Sequence, residues 1–167
     1  MKKFYFLVVV LSILFLAECA KAPLQPEHQF VKIQFHYGFR NELDTFEGTF
    51  QKDLILDGTI KTSFRLDAEE QDLILAQVVA IGFFQYPDTI MWKGGPDSIH
   101  TEVEPNPGWQ FLRIRYEDEE KAVYWRYPLP EEDKLVAPLL DVTHLLREVI
   151  ESKPEYQALP PARGGYL

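Results

Sequence analysis

The sequence contains a single cysteine, Cys19, so no disulfide bond can form within one chain. It also has no excess of basic residues, because 17 Lys and Arg residues stand against 26 Asp and Glu residues, for a formal charge of −9. An acidic chain repels the phosphate backbone of nucleic acids, and no cluster of Lys or Arg offsets that repulsion. We therefore expect no nucleic-acid partner.

Serine is scarce: beyond the N-terminal segment it occurs only at Ser63, Ser98 and Ser152. No Gly-x-Ser-x-Gly motif is present. Asp97, Ser98 and His100 have the residue types of a catalytic triad, but residues this close in sequence rarely align in the geometry that a triad needs. The preferred interpretation is a polar loop, and hydrolysis is kept as an alternative function.

A long hydrophobic run occurs only near the N-terminus. Residues 4–17 (FYFLVVVLSILFLA) follow two lysines, and the run has the length of a secretory signal but is short for a membrane span. Residues 16–19 (LAEC) resemble the lipobox of bacterial lipoproteins, although Glu18 departs from the small residue preferred there. We predict a signal over residues 1–19, lipidation of Cys19 and anchoring to the bacterial cell envelope. Conventional secretion, which would leave the protein periplasmic or extracellular, and an uncut anchor are the alternatives.

The remaining chain divides into a tether and one domain. Residues 20–29 (AKAPLQPEHQ) are polar and contain two prolines, which is typical of a linker. Residues 30–167 have the length and apolar content of a single domain, which ends in a short C-terminal tail. No internal repeat is visible.

Five segments show the alternation of apolar and polar residues that predicts β-strands. They are residues 30–37, 49–56, 59–66, 109–116 and 122–127. Asp57-Gly58 is a strong turn signal that joins the second and third segments into a hairpin. Residues 38–44 are predicted to form a loop, and residues 86–108 a long connection.

Two segments have the periodicity of amphipathic helices. Asp67 and Glu70 have the spacing of a capping box, which predicts a helix over residues 68–81 that ends at Gly82. A second helix is predicted over about residues 134–151. The residues expected to be buried are Ile74, Val78, Leu139, Val142 and Leu146. The order of elements predicts an α+β domain, with a single antiparallel sheet of about five strands and two helices packed on it in two layers.

Three residues could together bind a divalent metal. His100, Glu102 and Glu104 alternate, so an extended strand would place all three on one face. No second histidine lies nearby, and metal sites usually take ligands from more than one element. The preferred interpretation is a solvated edge strand, so no metal and no cofactor are predicted, and metal binding is kept as an alternative.

Two other groups of charged residues are interpreted as surface residues. His144 lies one helical turn from Asp141 and from Arg147, and such pairs stabilise a helix by only about 0.2–0.5 kcal/mol. Residues 117–120 (EDEE) lie at the expected tip of a hairpin. Nothing around them indicates an apolar pocket that would raise the pKa of a carboxyl group toward catalytic use.

Aromatic and arginine residues are concentrated in the last two predicted strands. One face of each strand must contact the core, so the opposite face can expose these side chains, and aromatic and Arg residues are enriched at protein interfaces. We predict a binding face formed by Trp109, Arg113, Arg115, Trp125 and Arg126. A protein or a glycan is the expected partner. A helix covering both faces, or aromatics at the rim of the sheet, is the alternative.

Several phrases are similar to small exported bacterial proteins of unknown function. They are YGFRNELDTFEGTF (37–50), LDGTIKTSFRLDAEEQ (56–71), IGFFQYPD (81–88) and ESKPEYQALPPARGGYL (151–167). The resemblance implies an uncharacterised family of bacterial envelope proteins, and it assigns neither an active site nor a ligand. The sequence as a whole predicts a non-enzymatic envelope lipoprotein that acts as a binding module.

Overall fold

The computed structural model describes residues 30–91, 108–126, 129, 131 and 133–166. The predicted signal, Cys19 and the tether lie outside the described residues. So do the residues of the metal and triad hypotheses, namely Asp97, Ser98, His100, Glu102 and Glu104. No helix within the described ranges is long and apolar enough to cross a membrane.

The described strands form one seven-stranded sheet, which confirms the predicted α+β class. They are β1 (Lys32–Tyr37), β2 (Asn41–Asp44), β3 (Thr49–Asp53), β4 (Thr59–Ser63), β5 (Thr89–Ile90), β6 (Trp109–Tyr116) and β7 (Glu119–Arg126). Their order across the sheet is β4-β3-β2-β1-β6-β7-β5. Neighbouring strands are antiparallel except for β5 and β7, which are parallel. The sheet is therefore larger than the predicted five strands and is not wholly antiparallel.

The two strands that were not predicted are short and depend on their neighbours. Gly38 has a φ of +61°, which turns the chain so that β2 pairs with β1. Within β2 only Leu43 is apolar, and it lies between Phe35 and Phe50 in the sheet. β5 has two residues, and it is held beside β7 by a hydrogen bond of 2.9 Å from the Tyr124 amide to the Asp88 carbonyl. Neither strand is long enough to show a period in the sequence.

Three helices complete the described part of the fold: α1 (Ala68–Ala80), α2 (Val136–Ser152) and the short α3 (Pro154–Gln157). The predicted capping box at α1 is confirmed, because Asp67 Oδ1 accepts from the Glu70 amide while Glu70 Oε2 accepts from the Asp67 amide. Gly82 follows α1 with a φ of +66°, as a terminating glycine requires. Pro138 lies in the first turn of α2, where its missing N–H costs no helical hydrogen bond.

One face of the sheet and the two long helices share a single hydrophobic core. From the sheet it contains Ile33, Phe35, Leu43, Phe50, Leu112, Ile114 and Val123, and from the helices Ile74, Val78, Leu139, Val142 and Leu146. The five helical residues expected to be buried are all buried. Because α1 and α2 also contact each other, both lie on the same side of the sheet.

Candidate functional site

The side of the sheet that faces away from α1 and α2 is called the open face. Side chains alternate along a strand, so Trp109, Arg113 and Arg115 of β6 lie on the open face, while the buried Leu112 and Ile114 contact the core. Arg126 of β7 is paired with Trp109, which places it on the open face as well. Four of the five residues of the predicted binding face therefore share one surface.

Trp125 does not belong to this surface, and its inclusion in the predicted binding face is wrong. It is paired with Gln110 on the helix-facing side of the sheet and is only 3% exposed. The preceding residue, Tyr124, projects from the open face and is 43% exposed. The physical reason is the alternation of side chains in β7, whose phase is fixed by pairing with β6.

Aromatic rings form a row across the open face. The rings of His36 and Phe111 are stacked with centroids 5.9 Å apart and an interplanar angle of 6°. Next along the row, the ring of Tyr124 lies beside that of Phe111, with centroids 5.5 Å apart. Beside this row Trp109 is 45% exposed, and the Arg126 guanidinium lies 5.9 Å from its ring centroid. Because the register of three strands positions these rings, little conformational freedom is left to lose on binding.

The two arginines of β6 are held over an aromatic ring. The guanidinium carbons of Arg113 and Arg115 lie 4.4 and 4.8 Å from the ring centroid of Phe46. Arg113 also pairs with Glu120, with Nη2 and Oε1 2.7 Å apart. Exposed ion pairs contribute only about 0–1 kcal/mol to stability. The main effect of these contacts is to orient the guanidinium groups at the surface.

A second candidate site is a cavity of about 590 Å³ on the helix-facing side of the sheet, beneath α2. A row of side chains from four strands forms its floor. Asn41 of β2 is opposite Tyr37 of β1, and Gln110 of β6 is opposite Trp125 of β7. The residues of α2 that line the cavity are Leu140, Thr143, His144 and Arg147. We call this space the α2 cavity.

The polar groups of the floor are mainly hydrogen-bond donors. Burial raises the pKa of the Tyr37 phenol, with smaller contributions in the same direction from Tyr156 and Glu151, while nearby Arg147 lowers it. The phenol is therefore protonated at neutral pH and can donate. Asn41 Oδ1 accepts a hydrogen bond of 3.0 Å from the Asp53 amide, which leaves the Asn41 side-chain NH₂ available to donate.

Comparisons with protein-family models, with curated proteins and with solved structures found no match for this chain. Its function is therefore inferred from the geometry of these two sites. Among the described residues no group of three or more His, Cys, Asp or Glu side chains could hold a metal ion.

His144 and Arg147 were interpreted from the sequence as surface residues that contact their helical neighbours. Both are exposed, but both also line the α2 cavity. Their spacing in the sequence could have indicated a shared site, because it places a ring and a cation on the same face of the predicted helix. The sequence could not indicate which strand residues lie beneath them, since Tyr37 and Gln110 come together only through the pairing of β1 with β6.

Proposed function

We propose that this protein is a non-enzymatic binding module of the bacterial cell envelope, anchored through a lipid on Cys19, whose open face binds a protein partner. The observation that supports this proposal best is the row of His36, Phe111 and Tyr124 with the exposed Trp109 beside it. Aromatic side chains of this kind are enriched among the residues that dominate binding energy in protein interfaces.

The charge of the open face favours an acidic partner surface. Arg113, Arg115 and Arg126 project from it. Of its acidic side chains, Glu120 pairs with the first two, and Glu42, opposite His36, accepts a hydrogen bond from Gln34. This local positive charge contrasts with the formal charge of −9 of the chain. Complementary charge mainly accelerates association and selects the partner, while the aromatic rings contribute most of the affinity.

The proposed anchor is consistent with display of this face outside the membrane. The first strand of the sheet, β1, begins at Lys32, close to the end of the predicted tether of residues 20–29. Two or more acyl chains hold a protein stably on a bilayer, which a mature lipoprotein N-terminus would supply.

Binding is favoured over hydrolysis because of the chemistry of the open face. Catalysis needs an acid, a base or a nucleophile held in a pocket with a suitable pKa. The groups on the open face are guanidinium groups and rings on a broad surface, which can recognise a partner without bond chemistry.

Photo-crosslinking tests the proposal directly. A photoreactive phenylalanine analogue replaces Tyr124 on the open face or, as the matched control, Val79, which is exposed on α1. We expect a discrete protein adduct in cells from position 124 only. Changing Trp109→Ala together with Arg126→Ala should reduce its yield at least about fivefold, as expected for loss of central aromatic and Arg contacts.

Several outcomes would contradict this function. Equal adducts from positions 124 and 79, or an adduct unaffected by the double substitution, would mean that the open face is not the binding surface. An adduct whose added mass is removed by glycosidase would replace the protein partner with a glycan. Robust hydrolytic turnover of envelope polymers by the purified protein would overturn the non-enzymatic assignment.

A further inference from the structure

The helix-facing side of the sheet changes from apolar to polar along the strands. Two successive rows contain Ile33 opposite Ile114 and Phe35 opposite Leu112, all buried. The next row is the floor of the α2 cavity, where the antiparallel register places Tyr37 beside Gln110. Polar groups that are buried without a hydrogen-bond partner cost about 1–3 kcal/mol each. A polar row in this position therefore needs partners.

Gln110 is a residue of this row whose side chain has no hydrogen-bond partner among the described residues. Gln110 is only 8% exposed and lines the α2 cavity. Its side chain makes no hydrogen bond to any side chain or backbone group among the described residues. A buried primary amide has two donors and an acceptor to satisfy. The free groups of Gln110 thus belong to the cavity, where water or a ligand can reach them.

The donors of the cavity lie toward one end of its floor. Asn41 and Tyr37 are on adjacent strands, and Arg147 of α2 lines the same cavity. The Glu151 carboxylate raises the pKa of the Tyr37 phenol more than the Arg147 guanidinium lowers it, so Arg147 is the group of the cavity that favours an anion. Within the part of the chain that is described, Arg147 forms no ion pair with a carboxylate. Hydrogen bonds from a cation to a carboxylate are about twice as strong as those between neutral groups. A carboxylate is the anion that this combination of planar cation, phenol and amide fits.

The other end of the floor is apolar. Trp125 lies two strands from Tyr37, which is about 10 Å at the usual spacing of strands. Leu129 and Leu140 add to the apolar lining, whereas Phe35 lies at the Tyr37 end, where the two rings are stacked with centroids 4.8 Å apart. Cavities of about 300–1,000 Å³ with an apolar wall and a few polar groups are typical of small-molecule sites. The lining also contains Glu131, whose carboxylate disfavours a second negative charge on the ligand.

We infer that the α2 cavity is a binding site for a small monocarboxylate with an apolar ring. Its carboxylate contacts Arg147, Tyr37 and Asn41, its body lies along Gln110, and its ring packs against Trp125. This site is on the opposite side of the sheet from the open face, and it does not depend on the proposed protein partner.

Isothermal titration calorimetry of the purified protein with three matched probes tests the inference. The probes are 3-phenylpropionate, 3-phenylpropan-1-ol and 3-phenylpropylamine, which share a ring and chain length and differ in their polar end. At neutral pH we expect the carboxylate to bind with at least about tenfold higher affinity than the alcohol, because only the carboxylate places a negative charge against the Arg147 guanidinium. The amine should bind more weakly than the carboxylate, since Arg147 repels its charge.

Variants locate the site. Arg147→Gln should weaken binding of 3-phenylpropionate at least about tenfold, and Gln110→Leu should weaken it severalfold. Arg115→Gln removes the same charge from the open face and should leave the affinity unchanged. Arg147 is exposed, so its variant is expected to fold, and its thermal melting midpoint is compared with that of Arg115→Gln.

The results that would overturn the inference are specific. They are the absence of binding at about 5 mM 3-phenylpropionate, equal affinity for the alcohol, or wild-type affinity in a folded Arg147→Gln variant. The crosslinking experiment reports on the open face, and the calorimetry reports on the α2 cavity. A negative result in either experiment therefore leaves the other interpretable.

Discussion

Among the described residues, Ile55 has the least favourable backbone conformation for its type. It follows β3 with a φ of +62°, in the left-handed region that β-branched residues rarely adopt. Two contacts hold it there: its amide donates to Asp53 Oδ1 at 2.9 Å, and its backbone forms an isolated bridge with Arg163 of the C-terminal segment. Such a conformation costs about 1–2 kcal/mol.

Relief of this strain should stabilise the protein. We expect Ile55→Gly to raise the free energy of unfolding by about 0.5–1 kcal/mol, since glycine adopts positive φ without strain but loses more entropy on folding. The control is Gly58→Ala in the same hairpin. Gly58 has a φ of +77° and no atom within 4 Å of an added Cβ, so alanine there should cost about 1 kcal/mol through the backbone alone.

Urea denaturation of both variants measures these changes. A lower stability of Ile55→Gly than of the wild type would show that packing of the isoleucine side chain outweighs the strain. The conformation of Ile55 itself could not be predicted from the sequence, because Asp57-Gly58 marks the turn while the bridge to Arg163 forms only in the folded chain.

At the scale of elements, Lys153 at the junction of α2 and α3 pairs with two carboxylates at the start of α1, Glu70 and, at 3.8 Å, Asp67. Lys153 Nζ lies 2.7 Å from Glu70 Oε2, and both side chains are largely buried. The same Glu70 carboxylate accepts from the Asp67 amide in the capping box. Glu70 therefore stabilises its own helix and also ties it to the second one.

Two substitutions of Glu70 separate these roles. Glu70→Gln keeps a side chain that can complete the capping box but removes the charge, and should cost about 1 kcal/mol. Glu70→Ala removes both contacts and should cost about 2 kcal/mol. In a Lys153→Met background the cost of Glu70→Gln should largely disappear. An unchanged cost in that background, measured by urea denaturation, would show that the ion pair contributes nothing.

The elements differ in how well the sequence predicts them. α1 has a capping signal, an apolar stripe and a terminating glycine, so its bounds agree closely with the prediction. β2 contains one apolar residue, Leu43, and is a strand because β1 and β3 flank it. In β7 the adjacent Tyr124 and Trp125 look equivalent in composition, and only the register with β6 decides which of them is buried.

At the scale of the whole molecule, the location of the domain depends on Cys19. We expect incorporation of a palmitate analogue into the wild-type protein in growing bacteria and none into Cys19→Ala, because the chain has no other cysteine to modify. The experiment compares gel fluorescence after equal loading. Equal labelling of the two proteins would contradict lipidation at this residue and would favour conventional secretion or an uncut anchor.

The candidate sites also belong to this scale, which is why the sequence predicts them only partly. The open face could be anticipated from β6 alone, since the alternation within residues 109–116 separates Trp109 and Arg113 from Leu112. The α2 cavity combines side chains of four strands and one helix. No local pattern contains that information.

The pairing of β1 with β6 has a consequence for the order of folding. On either side of this pairing, neighbouring strands are close in sequence: β1 to β4 pair in order, and β6 pairs with β7. Ile33 of β1, in contrast, pairs with Ile114 of β6 across α1 and a long connection. Closing so large a loop is the entropically costly step, and pairing between strands distant in sequence slows folding. In a chain that crosses a membrane with its N-terminus first, β1 emerges long before β6 is present to cover its edge. During that interval the first four strands have an unpaired edge at β1, and an exposed edge of this kind is prone to aggregate.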